Sequence, residues 1–156
     1  MFTANFIDKQ RISCQVEANS KKRVLEHLGK LLSQTLPGLT QDLIFDRLLE
    51  RERLGSTGLG QGIALPHARM KEVQQAYGAF VQLNKGVEFD AFDNQPVDLA
   101  FALLVPEAAT EEHLQLLAAL ASMFSNPQVC AELRQSASPE EVLHKILDWE
   151  ASPQTA

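Results

Sequence analysis

The sequence predicts a layered α/β domain with a mixed β-sheet between helices. Three observations carry that expectation. Val97 to Val105 (Val-Asp-Leu-Ala-Phe-Ala-Leu-Leu-Val) is a nine-residue apolar run ended by Pro106, which fits a strand buried on both faces. Amphipathic helical segments stand on both sides of it in the chain. The element order reads β-α-α-β-β-β-α-α-α, which supplies helices before and after the sheet-forming middle.

Met1 to Gln10 has no clear period and is expected to be loosely ordered. Arg11 to Glu17 alternates, with Ile12, Cys14 and Val16 on one side, and reads as a half-buried strand. Asn19 or Ser20 then offers an N-cap. From Lys21 to about Ser33, Val24, Leu25, Leu28, Leu31 and Leu32 recur at helical spacing, and Leu36-Pro37-Gly38 breaks the helix. Thr40 or a neighbour caps a second helix, where Leu43, Ile44, Leu48 and Leu49 form the buried stripe up to about Glu52. Ile63 to Leu65 reads as a short strand with His67 at its end, and Ala76 to Leu83 as a central strand. Gly86 to Phe92 reads as an irregular connection with room for one short strand, and Asp93 to Pro96 as a turn. Three helices follow the Val97 strand. The first starts at Thr110 and buries Leu116, Leu117, Leu120, Met123 and Phe124. The second opens at Asn126-Pro127. The third opens at Ser138-Pro139 with acids in its first turn.

The chain's 156 residues fit one domain, 1–156, large enough to bury roughly two thirds of its unfolded surface. The ordered core is expected over about residues 10–150, with a flexible tail at 151–156. A net charge of −6 and a pI near 5.2 argue against a general nucleic-acid binder. Cys14 and Cys130 show neither zinc-site spacing nor a disulfide framework, which points to a reducing, cytoplasmic setting. No apolar run has the length of a membrane span.

Function concentrates between Arg51 and Arg69. Four of the eight glycines fall between Gly55 and Gly62, together with the hydroxyls of Ser56 and Thr57. Loops of this kind can form nests of N–H groups that bind anions, so Ser56, Thr57, Gly58 and Gly60 are candidate phosphate-binding residues; the plain alternative is a tight helix-to-strand connection. A nucleotide P-loop would need a lysine, and none stands between Lys30 and Lys71. A dinucleotide loop would need glycine where Ile63 stands. Arg51 and Arg69 bracket the stretch, and His67 follows Pro66 in it.

His27 and His144 lie within helical segments and read as surface or boundary residues. His113 precedes Leu116, Leu117 and Leu120 at helical spacing, which suits a core histidine. It also sits in a first turn, where the helix dipole disfavours an imidazolium, and a neutral imidazole there could serve a neighbouring phosphorylation site. Cradle, guanidiniums and imidazole together suit transfer of a phosphoryl group to a histidine nitrogen. That nitrogen must be unprotonated, and fixed donors stabilise the charge spread over the phosphoryl oxygens. No metal and no cofactor is required.

The stretch Arg51-Glu-x-x-Gly-Ser-Thr-Gly-x-Gly-x-Gly-Ile-Ala-x-Pro-His67 resembles the active-site signature of enzyme IIA domains of the bacterial phosphotransferase system, fructose/mannitol type. Phe89 to Pro106 is similar to the nitrogen-regulatory branch, enzyme IIA-Ntr, and the resemblance spans about Ser20 to Glu150. It implies a three-layer α/β/α fold, His67 as phospho-acceptor, His113 as a second active-site histidine and Arg51 as the active-site arginine. Ala68-Arg69 stands where a close relative would have Gly-Lys, which leaves the role of Arg69 open. The function implied is a standalone regulatory phosphocarrier that takes its phosphoryl group from an HPr-type carrier and controls partners in nitrogen, carbon or potassium regulation. The alternative is a sugar-transport enzyme IIA serving a IIB domain. A metal-dependent hydrolase using His67 and His113 would need further ligands, and none stands at convincing spacing. The oligomeric state is not legible.

Overall fold

A computed structural model gives the fold and describes Phe2, residues 5–108 and residues 110–152. After a 3-10 turn (Lys9–Arg11) the chain runs through β1 (Ile12–Val16), α1 (Lys21–Gln34) and α2 (Gln41–Leu54). The strands β2 (Gly58–Gly60), β3 (Ile63–Ala64), β4 (His67–Met70), β5 (Tyr77–Val87) and β6 (Val97–Pro106) come next. Three helices close the chain: α3 (Thr110–Phe124), α4 (Pro127–Gln135) and α5 (Pro139–Ala151). The helix starts follow the capping rule. Ser20, Thr40, Asn126 and Ser138 each accept a hydrogen bond from a first-turn N–H of the helix they open.

The sheet is mixed, in the order β1-β5-β6-β3-β2, with β4 also on β6. β1 runs parallel to β5, β5 antiparallel to β6, and β3 and β4 parallel to β6. As its composition predicts, β6 is buried on both faces. Val97, Ala100, Ala102 and Leu104 meet α1 and α2 on one side; Leu99, Phe101, Leu103 and Val105 meet α3, α4 and α5 on the other. The two sides differ in grain. The α1–α2 side of the sheet is rich in alanine (Ala64, Ala68, Ala79, Ala100, Ala102), and the opposite side holds Phe80 and Phe101, which pack with Phe6 and Phe124. The three-layer α/β/α architecture is the one expected.

Four local expectations are corrected. The segment before residue 10 is not loose at Phe6 and Ile7, which are buried. It has no period because it enters the core as single side chains, held where Phe6 O accepts from Gly78 N (2.7 Å) and where buried Arg11 donates to Gly78 O and Thr35 Oγ1. The central strand continues past Leu83 through Gly86 to Val87, because backbone pairing persists where exposed Asn84 and Lys85 end the apolar signal. Gly58–Gly60 and His67–Met70 are strands that glycine and mixed polarity concealed. At the other end Ala151 still belongs to α5, while residues 153–156 of the expected tail lie outside the described residues.

Two polar ties lock α4 to the sheet. Buried Gln82 donates to the carbonyls of Leu133 and Ser136 and accepts from Gln15 N. Arg134 makes a two-pronged bond to Asp98 and also donates to Gln61 O at 2.8 Å.

Gly78 is small because Phe101 needs the space: a Cβ there would lie 2.5 Å from the Phe101 ring. Gly78→Ala should therefore lose about 1–3 kcal/mol of stability by overpacking, read as a lower urea midpoint with an unchanged slope.

Candidate functional site

Proline makes the site. Pro66 has no N–H to give a neighbouring strand, so the strand next to β6 breaks after Ala64 and resumes at His67. The register does not slip across the break: Ile63 faces Leu99 before it and His67 faces Leu103 after it. His67 thus opens β4, where the sequence suggested the end of the preceding strand. Inside the break Leu65 N turns away from β6 and donates to Thr57 O at 3.0 Å. Its carbonyl lies 2.8 Å from His67 Nδ1. A carbonyl can only accept, so Nδ1 carries the proton, and in the neutral ring Nε2 keeps the lone pair.

His113, in the first turn of α3, is 4% exposed and meets His67 edge-on with ring centroids 5.5 Å apart. Its Nδ1 is buried with no hydrogen-bond partner among the described residues. The end of α2 completes the group. Arg51 is tied down by one bond, from Nη1 to Gly55 O at 2.9 Å. A cleft of about 370 Å³ joins these residues; Arg47, Glu50, Leu54 and Arg69 line it together with Arg51, His67 and His113. A larger hollow of about 630 Å³ shares none of this lining and lies around Arg23, His27, Lys30 and Lys85. Among the described residues, no group of three or more His, Cys, Asp or Glu side chains is placed to hold a metal ion.

Both imidazoles are held neutral. Burial pushes the His67 pKa down from 6.5. The Arg51 and Arg69 charges push the same way, while the Leu65 carbonyl and Glu52 oppose them. Burial pushes His113 further, to about 4, helped by the facing His67 and by Arg69 and Arg51. A neutral pair beside three arginines can offer a nucleophilic nitrogen and bind an anion in one place.

Four of the sequence's candidates are not brought to this cleft. Ser56 Oγ donates to Phe89 O and accepts from Gly58 N. Thr57 gives both its N–H and its hydroxyl to the Glu52 carboxylate. Gly58 pairs with Ala64, and Gly60, at φ +87°, lies against Phe92 and Asp93. The donors that suggested an anion nest are engaged inside the loop. Conversely, the sequence reading passed over Arg47, Glu50, Glu52 and the Leu65 carbonyl. Arg47 was discoverable, since it stands one helical turn before Arg51; the carbonyl was not, because a backbone group leaves no sequence signal. His27 and His144 are remote from the cleft, against Ser13 and Asp148 respectively.

Residues 5–149 match the family model of the phosphoenolpyruvate-dependent sugar phosphotransferase system, EIIA 2. The chain belongs to this family. A nitrogen regulatory protein of Pseudomonas aeruginosa is 47% identical to it over 133 residues, 85% of this chain and 86% of the relative. The crystal structure of nitrogen regulatory protein IIA-Ntr from Neisseria meningitidis superimposes with a TM-score of 0.86 at 45% identity, over 90% of this chain and 96% of that one. A fructose-specific EIIA component of Haloferax volcanii is 40% identical over 131 residues, 84% of this chain and 85% of the relative. Within the EIIA 2 family, the resemblance to the nitrogen-regulatory branch therefore holds along nearly the whole chain. No described helix of this EIIA 2 protein is long and apolar enough to cross a membrane.

The His113 shift has a stability consequence. Its pKa is depressed in the folded chain and near 6.5 in the unfolded one, so the unfolded chain binds the proton first. The stability contributed by the neutral ring is complete above pH 6.5 and is lost as pH falls toward about 4. Urea midpoints measured across that window should fall more steeply for wild type than for His113→Gln.

Proposed function

We propose that this EIIA 2 protein is a regulatory phosphocarrier. His67 accepts a phosphoryl group at Nε2 from an HPr-type histidine phosphocarrier, and the phosphorylation state controls partner proteins of nitrogen, carbon or potassium metabolism. The observation that carries the reading is the His67 Nδ1–H···O=C bond to Leu65, which leaves Nε2 as the free nucleophile in an arginine-lined cleft.

In the transfer, the Nε2 lone pair attacks phosphorus. The new N–P bond forms as the donor's N–P bond breaks, and the donor ring keeps that electron pair. His67 retains its Nδ1 proton, so its ring becomes cationic, and the Leu65 carbonyl stabilises that charge through the hydrogen bond already present. Arg47, Arg51 and Arg69 supply positive charge for the phosphoryl oxygens, with Arg51 held in place by its bond to Gly55. Neutral His113 offers a ring nitrogen to an oxygen in transit. The phosphate is held in this reading by the arginines and His113, with the glycine loop supporting the geometry from behind.

Around the cleft, Leu54 is 85% exposed, and Leu114, beside His113, is exposed as well. A phosphoryl group adds about −1.5 to −2 charges next to this apolar rim, enough to change which partner surface fits there without refolding the chain. The reading carries a cytoplasmic location with it. The similarity to a fructose-specific EIIA component favours a second reading, in which the group passes on to the cysteine of a sugar-specific IIB domain. Label moving from this chain to such a IIB domain distinguishes the two.

Incubation with labelled phosphoenolpyruvate, enzyme I and an HPr-type carrier tests the proposal. Wild type should take up acid-labile, base-stable label and His67→Ala none, with the fold retained. His113→Ala should still be labelled but more slowly; complete loss, as in His67→Ala, would overturn its supporting role. Arg51→Lys should slow transfer although the charge is kept, because the planar fork is lost, by roughly ten- to a hundredfold in a single-turnover assay.

A further inference from the structure

We infer that Glu52 is the positioning residue that sets the tautomer and orientation of the His67 imidazole, acting through Thr57 and Leu65. This rests on His67 being the phospho-acceptor. Glu52 does not line the cleft and is only 6% exposed, so it cannot touch the phosphoryl group. Its carboxylate is nonetheless kept inside the protein, and its surroundings show what it holds. One oxygen accepts from Thr57 N at 2.7 Å, the other from Thr57 Oγ1 at 2.5 Å, and Lys21 Nζ lies 3.4 Å away. Thr57 is thereby gripped by main chain and side chain together.

What Thr57 holds in turn is the acceptor histidine. Thr57 O accepts from Leu65 N at 3.0 Å, and Leu65 O accepts from His67 Nδ1–H at 2.8 Å. The line Glu52–Thr57–Leu65–His67 consists of hydrogen bonds from end to end and crosses from the last turn of α2 to the break before β4. Leu65 N extends the β2–β3 pairing of Gly58 with Ala64 by one bond, so Thr57 is the partner that fixes Leu65 on this side. If Thr57 shifts, the Leu65 carbonyl shifts, and the ring is free to protonate at Nε2, which removes the nucleophile.

Two further details favour this assignment over a purely structural one. A neutral acceptor would be enough to satisfy a loop N–H, but two donors on one residue and an ammonium call for a charged group with two acceptor oxygens. Lys21 also donates to Phe89 O, which Ser56 Oγ binds as well, so the whole loop is braced from the side away from the cleft. The Glu52 charge additionally supports basicity at His67, against Arg51 and Arg69.

The test is Glu52→Gln, with nitrogen-15 NMR of the His67 ring in the unphosphorylated protein and rapid-mixing transfer from an HPr-type carrier charged by phosphoenolpyruvate and enzyme I. Wild type should show a protonated Nδ1 and a bare Nε2. The variant should show a mixture of tautomers, a maximal transfer rate lower by roughly ten- to a hundredfold, and an unchanged half-saturating carrier concentration. A wild-type ring pattern in Glu52→Gln overturns the proposal, whether or not the rate falls. Should Glu52→Gln fail to fold, Thr57→Val, which keeps the N–H and loses the hydroxyl, must shift the ring pattern in the same direction, and an unchanged pattern again overturns it. If wild type accepts no label, the phosphocarrier reading fails, while the ring pattern still decides what Glu52 does.

Discussion

The structure depends on β6 being buried on both faces. A strand of that kind requires a helical layer on each side and a hydrogen-bonded neighbour along each edge, and the chain supplies all four. α1 and α2 cover one face, α3 to α5 cover the other, β5 lines one edge, and β3 with β4 lines the other. Everything that the site needs is then fixed by reference to one rod. His67 lies opposite Leu103 near its end, and the short connection after Pro106 sets the first turn of α3, with His113, on the same side.

The chemistry arises where that order is deliberately interrupted. The proline costs the sheet a donor toward β6, although Pro66 O still accepts from Leu103 N. Leu65 faces the other way, and its carbonyl fixes the protonation pattern of His67 two residues on. The same few residues settle the electrostatics. A cleft lined by three arginines would repel an imidazolium, and burial disfavours one too, so the resting histidines stay neutral and the net charge there is positive. A neutral ring nitrogen and a positive counter-charge thus stand together in one cleft.

How much of this could be read from the sequence depends on where the signal resides. The apolar run of β6, the helix caps and the stripes of α1 and α2 are side-chain patterns, and they were legible almost to the residue. His67, His113 and Arg51, singled out in the sequence by chemistry and motif, line one cleft in the structure. The glycine loop misled because glycine density reports backbone freedom without saying what the freed N–H groups face. Here Thr57 faces Glu52 and Gly58 faces β3. Phe6 and Ile7 were missed because isolated core anchors have no period, and β4 because four residues of mixed polarity look like a loop. The bond from His67 to Leu65 could not be foreseen, since it joins a side chain to a carbonyl that any residue carries.

The difference in grain between the two sides of the sheet implies opposite tolerances to change. On the alanine-rich side, α1 and α2 approach closely, and a larger residue at Ala79, Ala100 or Ala102 must push a helix outward. On the phenylalanine side a smaller residue at Phe80 or Phe101 leaves a void that its neighbours fill only in part. Sequence drift is therefore constrained in volume from above on one face and from below on the other. The face that cannot grow is the one that carries Arg51 and Glu52. Growth on that face would therefore change the spacing between α2 and β4, the strand that His67 opens.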